Sequence, residues 1–140
     1  MSATETITLR NQLSELERLN KILAEFGRIN GFNAEEENTI FLCAEEICTN
    51  IISYAWPDGD DHAFEVRITA DINTIHIEFE DDGLPFDPIS KPAPDLTSPV
   101  EERPIGGLGI HLVLNTMTSV RYERKGDRNL LIAEKVRDFQ

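Results

Sequence analysis

Hydrophobic and polar positions recur with two different periods in the first part of the chain. Residues 5–10 (ETITLR) alternate between polar and apolar side chains, which predicts a β-strand. Leucine, isoleucine and phenylalanine then recur every three or four residues through 12–30, which predicts an α-helix ended by Gly31. The chain is therefore expected to begin with a strand followed by a helix.

A second helix is predicted directly after the first. Asn33 can act as its N-cap, because Glu36 stands three residues later in the arrangement of a capping box. The helical pattern then continues from 34 to 56, where Pro57 ends it. Two long helices should therefore lie close together.

The rest of the chain predicts two hairpins separated by a long loop. Residues 63–70 and 74–80 alternate around a short turn, and 119–125 and 129–136 do the same. Between the hairpins, 82–104 holds six of the seven prolines, and a loop of this length is usually functional or mobile. The apolar run Ile110 to Met117 is short enough for a helix of two or three turns.

Grouped strands with helices on one side predict an α+β fold. The expected architecture is a two-layer α/β sandwich with a mixed, mostly antiparallel sheet, because successive strands joined by tight turns run antiparallel. No repeat is visible, and 140 residues with 40% hydrophobic content suit one domain, residues 1–140.

Charge and apolar content restrict the partners. A formal charge of −13 argues against nucleic acid and anionic membranes, because binding there depends on Lys and Arg that neutralise phosphates. No stretch approaches the roughly 20 apolar residues of a membrane span, and MSATETITLR lacks the apolar middle of a signal peptide. A soluble cytoplasmic protein is expected. Cys43 and Cys48 match neither a metal site nor a redox pair and are interpreted as reduced packing residues.

The second helix carries a carboxylate and an amide one turn apart, Glu46 and Asn50. Successive residues of an α-helix are rotated by 100°, which places Glu46 and Asn50 at the border of the apolar stripe that faces the sheet. Glu45 points about 100° away from Glu46, toward solvent. Such a pair can hold Mg²⁺, which prefers oxygen ligands, and Glu46 can serve as a general base. Taken alone, such a pair is more typical of the solvated edge of a helix. The stripe that faces the sheet comprises Ala44, Ile47, Ile51, Tyr54 and Ala55.

Two further motifs suit a nucleotide. Asp81 follows a strand, where it can accept a hydrogen bond from an exocyclic amine, and Gly83 would allow a flat ring to approach closely, although Asp-Gly turns are common. Farther along, GGLG at 106–109 precedes a helix, so backbone N–H groups and the helix N-terminus could bind an anion. Arg103 is the cation placed to assist there, or it is a solvated loop residue.

The order of these motifs resembles the GHKL ATPase superfamily, named for gyrase and histidine kinases among others. Within it, the short chain and DDGLPFDP at 81–88 look most like bacterial anti-sigma factor serine-protein kinases. The resemblance covers nearly the whole chain and implies the histidine-kinase-like ATPase fold, with ATP and Mg²⁺ as ligands.

The resemblance also assigns roles to individual residues. It implies Glu46 as the catalytic base and Asn50 as the magnesium ligand. Asp81 would bind adenine with Gly83 beside it, and residues 84–105 would close over ATP. The phosphate-binding glycines of the family fall on Gly107 and Gly109. Leu108 between them and Arg103 just upstream are also expected near the phosphates, from their positions in this sequence. In the last hairpin, where many members carry a Gly-Thr pair, this chain reads GDRN at 126–129, and no role is assigned there.

Four functions follow as hypotheses. The leading one is a serine/threonine kinase that phosphorylates an anti-sigma factor antagonist in a partner-switching pathway, with a sigma factor as a further candidate partner and a homodimer as a candidate assembly. The second is a nucleotide-gated binding module that transfers no phosphate. The third is the ATP-binding part of a sensor histidine kinase, which lacks support because no phospho-acceptor helices precede it in this sequence. The fourth is an α+β domain that binds no nucleotide.

Overall fold

The computed structural model describes residues 2–90 and 107–138. Within these ranges, five strands and three α-helices follow one another in the predicted order. They are β1 (Ala3–Arg10), α1 (Glu15–Ile29), α2 (Ala34–Tyr54), β2 (Ala63–Ala70), β3 (Thr74–Asp81), α3 (Gly107–Thr116), β4 (Ser119–Lys125) and β5 (Arg128–Val136), with a short 3₁₀ helix at Pro88–Ser90.

The five strands form one sheet in the order β1-β2-β3-β5-β4. All four pairings are antiparallel, so the described part of the sheet is antiparallel rather than mixed. The hairpin of β4 and β5 inserts β5 beside β3 and keeps every neighbour antiparallel. The predicted α+β class is confirmed. The register of β3 on β5 places Asp81 opposite Asn129, and this pairing becomes important at the site.

Local hydrogen bonds determine where α1 and α2 begin. At α2 the predicted capping box is present, because the Glu36 amide donates to the Asn33 side chain over 2.8 Å and the Asn33 amide donates to Glu36 Oε1 over 2.9 Å. At α1 the chain first makes a turn in which the Glu15 amide donates to the Gln12 carbonyl over 3.0 Å. The helix therefore begins three residues later than the prediction of residue 12.

The predicted end of α2 at Trp56 is wrong by two residues. In the structure the helix ends at Tyr54. The Ala55 carbonyl accepts a hydrogen bond from the Leu84 amide over 2.9 Å. The segment that follows β3 is thereby attached to the end of α2, which brings the Asp81 region against this helix.

The core lies between the helices and one face of the sheet. Alternate residues of β2 and β3 point into it, and Phe64, Val66, Ile77 and Phe79 are at most 1% exposed. Cys43 and Cys48 are buried there as free thiols, as predicted for packing residues, and burial raises the pKa of Cys43 to about 12. None of the helices in the described ranges is long and apolar enough to cross a bilayer.

A buried ion pair ties the end of the chain to the corner between α1 and α2. Arg137 donates to Glu36 Oε2 over 3.0 Å and to the Gly31 carbonyl over 3.0 Å, and it lies 5.2 Å from the centre of the Phe32 ring. Both charged side chains are less than 5% exposed. Burial disfavours the Glu36 anion, but the hydrogen bonds from Arg137 and from the Asn33 amide outweigh it, and the pKa of Glu36 falls below its usual value.

Candidate functional site

A pocket opens between α2 and the inner face of the sheet. Its volume is about 420 Å³ when the open solvent at its mouth is included. The walls are mostly aliphatic and aromatic: Ile47, Ile51, Tyr54, Ala55, Phe79, Leu84, Phe86, Pro88 and Leu131. Four polar residues also line it, namely Asn50, Asp81, Tyr122 and Asn129. An apolar slot with a few fixed polar groups suits a flat heterocyclic ligand.

Asp81 is the buried carboxylate of this pocket, with 4% of its surface exposed. Its Oδ1 accepts hydrogen bonds from the Gly83 amide and from Asn129 Nδ2, each over 2.9 Å. Burial raises the pKa of Asp81, although these two hydrogen bonds oppose the rise. Both described bonds go to the same oxygen, so Oδ2 is the acceptor that remains for a ligand.

The neighbouring Asp82 is exposed and lies outside the residues that line the pocket. Its Oδ1 accepts a hydrogen bond from Trp56 Nε1 over 3.0 Å. The Trp56 ring in turn stacks on His62, with ring centres 4.8 Å apart. The structure thus places Asp81 inside the pocket and Asp82 in a separate surface cluster, in line with the choice of Asp81 from the sequence.

Asn129 is one of two polar pocket residues, with Tyr122, that sequence reasoning does not predict. It is 5% exposed and donates to Asp81 and, over 2.8 Å, to the Leu84 carbonyl. Asn129 is the second residue of β5 and lies on the face of the strand that points inward. The other inward positions nearby are apolar, so a polar side chain there departs from the alternating pattern. That interruption was the available signal, but its meaning depends on β5 pairing with β3.

Glu46 and Asn50 lie one helical turn apart on α2, as predicted. Asn50 lines the pocket, whereas Glu46 reaches α3. A Cβ added to Gly109 would stand 2.2 Å from Glu46 Oε2, so the carboxylate lies directly against the backbone in the first turn of α3. Glu45, expected in solvent, is partly buried like Glu46. The contact with Gly109 therefore distinguishes the two glutamates, and burial does not.

Gly83 has a different role from the one expected. A Cβ at this position would lie 2.5 Å from both the Cβ and the carbonyl oxygen of Ala55. The missing side chain thus allows the end of β3 to pack against the end of α2, and the space is not open to a flat ring. Gly83 supports the site through its amide, which donates to Asp81.

Tyr54 is more exposed than the helical pattern predicts. The predicted stripe that faces the sheet includes Tyr54, but 47% of its surface is exposed. Its ring stacks on Phe86 with a centroid distance of 6.4 Å and an interplanar angle of 27°. Tyr54 therefore forms a wall of the pocket instead of packing in the core.

Comparison with known proteins assigns the family. Residues 9–135 match the histidine kinase-like ATPase domain. The chain belongs to this family. The predicted relation to the GHKL ATPases is therefore confirmed, and membership in the family implies ATP binding.

Relatives of known name lie among bacterial kinases. The chain is similar to the serine/threonine-protein kinase BtrW of Bordetella bronchiseptica, with 28% identity over 93 residues that span 66% of each chain. It is also similar to the serine-protein kinase RsbW of Bacillus cereus and of Bacillus anthracis. There the identity is 27% over 116 residues, which cover 79% of this chain and 71% of the relative. The Bordetella match thus falls just short of two thirds of that protein.

The pocket residues of this histidine kinase-like domain fit ATP in chemistry. Asp81 offers a buried acceptor for an amine, and aromatic and aliphatic side chains offer flat surfaces. Asn50 offers an oxygen ligand at the edge of the same pocket, with Glu46 one turn away. In the described ranges no cluster of three or more His, Cys, Asp or Glu could hold a metal alone. This is compatible with Mg²⁺, which is commonly held by one or two side chains together with substrate phosphates.

The remaining predicted residues lie near the start of α3 or outside the described residues. Gly107 and Leu108 are the first two residues of α3, and Gly109 is the third. The helix is ten residues long, so its N-terminal end offers partial positive charge. Arg103 and most of the segment 84–105 fall outside the described residues.

Proposed function

We propose that this protein is an ATP-dependent serine/threonine protein kinase that phosphorylates an anti-sigma factor antagonist protein in a partner-switching pathway. The main support is that three features lie along the C-terminal half of α2: the pocket with Asp81, the oxygen of Asn50, and the Glu46 carboxylate against the start of α3. The names of the relatives, serine-protein kinase and serine/threonine-protein kinase, support the same activity.

Each residue has a distinct task in this proposal. Asp81 accepts a hydrogen bond from the amino group of adenine, and the apolar walls hold the ring. The backbone at Gly107, Leu108 and Gly109 binds phosphate oxygens at the start of α3, assisted by Arg103. Asn50 binds Mg²⁺, which neutralises phosphate charge when it is present. Glu46 accepts the proton of the partner's serine or threonine hydroxyl.

The acidic character of the chain agrees with a protein partner. We propose a cytoplasmic setting, the antagonist as substrate, and a sigma factor as the protein held when the antagonist is phosphorylated. Nucleic acid and membrane surfaces are disfavoured as partners by the charge of −13. A homodimer remains part of the proposal.

Transfer of labelled phosphate tests the activity. The full chain is incubated with labelled ATP, Mg²⁺ and its cognate antagonist, and the variants Glu46→Gln and Glu45→Gln are compared. Loss of a general base typically lowers the rate about 10²- to 10⁴-fold. We expect this loss in Glu46→Gln with ATP affinity retained, and near-normal transfer in Glu45→Gln, which makes the same chemical change one residue away.

The outcomes separate the hypotheses. Equal rates in both variants would remove Glu46 from the role of base. If the unmodified chain binds ATP and the verified antagonist but transfers no phosphate, the kinase proposal fails and the nucleotide-gated binding module takes its place.

A further inference from the structure

Arg124, near the end of β4, connects three parts of the chain. Its Nε donates to the Gly126 carbonyl over 3.1 Å within the β4–β5 turn. Its Nη1 donates to the Gly83 carbonyl over 2.8 Å and to Asn129 Oδ1 over 3.1 Å. The last two bonds reach out of the turn, to the segment after β3 and to the polar residue beside Asp81. One guanidinium therefore joins the hairpin to the wall of the pocket.

The amide of Asn129 is held in one orientation by its partners. Its Oδ1 accepts hydrogen bonds from the hydroxyl of Tyr122 and from Arg124. Its Nδ2 donates to Asp81 Oδ1 and to the Leu84 carbonyl. An inverted amide would point its oxygen at two acceptors, and its NH₂ group at the Arg124 guanidinium, which can only donate, and at the Tyr122 hydroxyl, which can donate or accept. Among the partners of Oδ1, Arg124 is therefore the one that determines that Asn129 presents an N–H to the Asp81 carboxylate.

The orientation of Asn129 decides how Asp81 is presented. With Nδ2 and the Gly83 amide both bound to Oδ1, the carboxylate is fixed and Oδ2 is left to accept from a ligand. Without the donor from Asn129, the buried carboxylate would lose one of its two described hydrogen bonds and its orientation. Arg124 also fixes the Gly83 carbonyl, and so supports the second of these donors through the backbone.

We propose that Arg124 is a positioning residue for base recognition, which acts through Asn129 to hold the Asp81 carboxylate ready to accept a hydrogen bond from an exocyclic amine. This role rests on the proposed function, because it takes adenine as the ligand of the pocket. Arg124 itself makes no contact with the base in this role. Its side chain is exposed, so its hydrogen bonds add little to folding stability, and its effect is expected in binding.

The chain offers a matched control on the same strand. Arg121 lies three residues earlier on β4, is 67% exposed, and faces Glu123 at 3.8 Å. Arg124→Met and Arg121→Met remove the same charge and keep a similar stem. Calorimetric titration of the full-length variants with Mg-ATP should show a Kd about tenfold higher for Arg124→Met, the effect of about one lost hydrogen bond, and an unchanged Kd for Arg121→Met.

A second nucleotide separates positioning from general support of the pocket. Purine riboside triphosphate lacks the 6-amino group of ATP, so it cannot use the Asp81 acceptor. Its Kd should be the same for Arg124→Met and Arg121→Met. Arg124→Lys should recover part of the ATP affinity, because an ammonium group can reach one carbonyl but cannot reproduce the fork of the guanidinium. An equal loss for both nucleotides in Arg124→Met would overturn the role.

The positioning role can also be tested without nucleotide, independently of the proposed function, by measuring the pKa of Asp81 with carboxyl NMR. Arg124→Met should raise that pKa relative to Arg121→Met, because the carboxylate loses a fixed donor and a nearby positive charge. If the unmodified chain binds no ATP, the proposed function fails, and the positioning of the Asp81 carboxylate is still judged by this comparison. An identical pKa in both variants would refute it.

Discussion

Replacing Asp81 with asparagine should separate nucleotide binding from folding. The change keeps the size of the side chain and an acceptor for Asn129 and the Gly83 amide, but it puts an NH₂ group where Oδ2 would accept from adenine. A hydrogen bond to a charged acceptor contributes about 1.5–3 kcal/mol, which corresponds to a Kd about 10- to 150-fold higher. Because Asp81 is only 4% exposed, water cannot replace the lost partner, and the upper half of that range is expected.

The same variant should fold at least as well as the unmodified chain at neutral pH. The folded state raises the pKa of Asp81 chiefly through burial, so the folded protein binds this proton more tightly than the unfolded chain does. The resulting stabilisation is fully present below the unfolded pKa and is lost as pH rises through the folded pKa. Asp81→Asn removes that decline, so from acid to neutral pH the free energy of unfolding, measured in urea without nucleotide, should change more favourably than in the unmodified chain.

The control is Asp82→Asn, which removes the same charge from the adjacent residue. Asp82 pairs with Trp56 outside the pocket, so its variant should bind Mg-ATP within about twofold of the unmodified chain. Calorimetric titration of both variants decides the matter. Normal ATP affinity in Asp81→Asn, or equal losses in the two variants, would show that Asp81 is not the acceptor for the base.

Three further substitutions follow from close contacts. Gly109→Ala should displace the Glu46 carboxylate, abolishing most phosphotransfer while changing the free energy of unfolding by less than about 1 kcal/mol; full activity would refute the contact. In Gly83→Ala, the new methyl group would clash with the backbone of Ala55, so urea unfolding should show a free energy of unfolding lower by about 1–3 kcal/mol. Arg137→Met leaves the buried Glu36 carboxylate unpaired, and about 3–5 kcal/mol should be lost at neutral pH. Because the pKa of Glu36 is lowered, this difference is present above its unfolded pKa and shrinks as pH falls through the folded pKa; a pH-independent difference would contradict it.

Local signals were enough to predict most of the elements. The period of two predicted β2 at its observed bounds, and the Asn33 capping box located the start of α2. Where the end of an element involves contacts with distant parts of the chain, the sequence predicts that end less accurately. Just past the end of α2 at Tyr54, the Ala55 carbonyl accepts from the Leu84 amide, 29 residues farther along the chain, and no local pattern indicates this bond.

The site was predictable where one element carries two groups at a fixed spacing. Glu46 and Asn50 are an example, since the helix alone sets their separation. Asn129 was not predictable in the same way, because its role depends on the register that places it opposite Asp81. Gly83 shows a third case. The sequence indicates that a glycine is needed at this position. The reason, which is close packing against Ala55, is seen only in the tertiary structure.

The arrangement also suggests how so acidic a chain could bind ATP. At the base end of the pocket, the acceptor on Asp81 suits an amine, and negative charge there is no obstacle to adenine. At the other end, the Glu46 carboxylate itself lies against the first turn of α3, where the phosphates are expected. A helix N-terminus provides only about half a positive charge, which cannot offset both this carboxylate and a triphosphate. In the proposed function the phosphate end therefore relies on cations, Mg²⁺ at Asn50 and the guanidinium of Arg103. Chelation of Mg²⁺ should then weaken binding of ATP far more than binding of adenosine, which carries no phosphate.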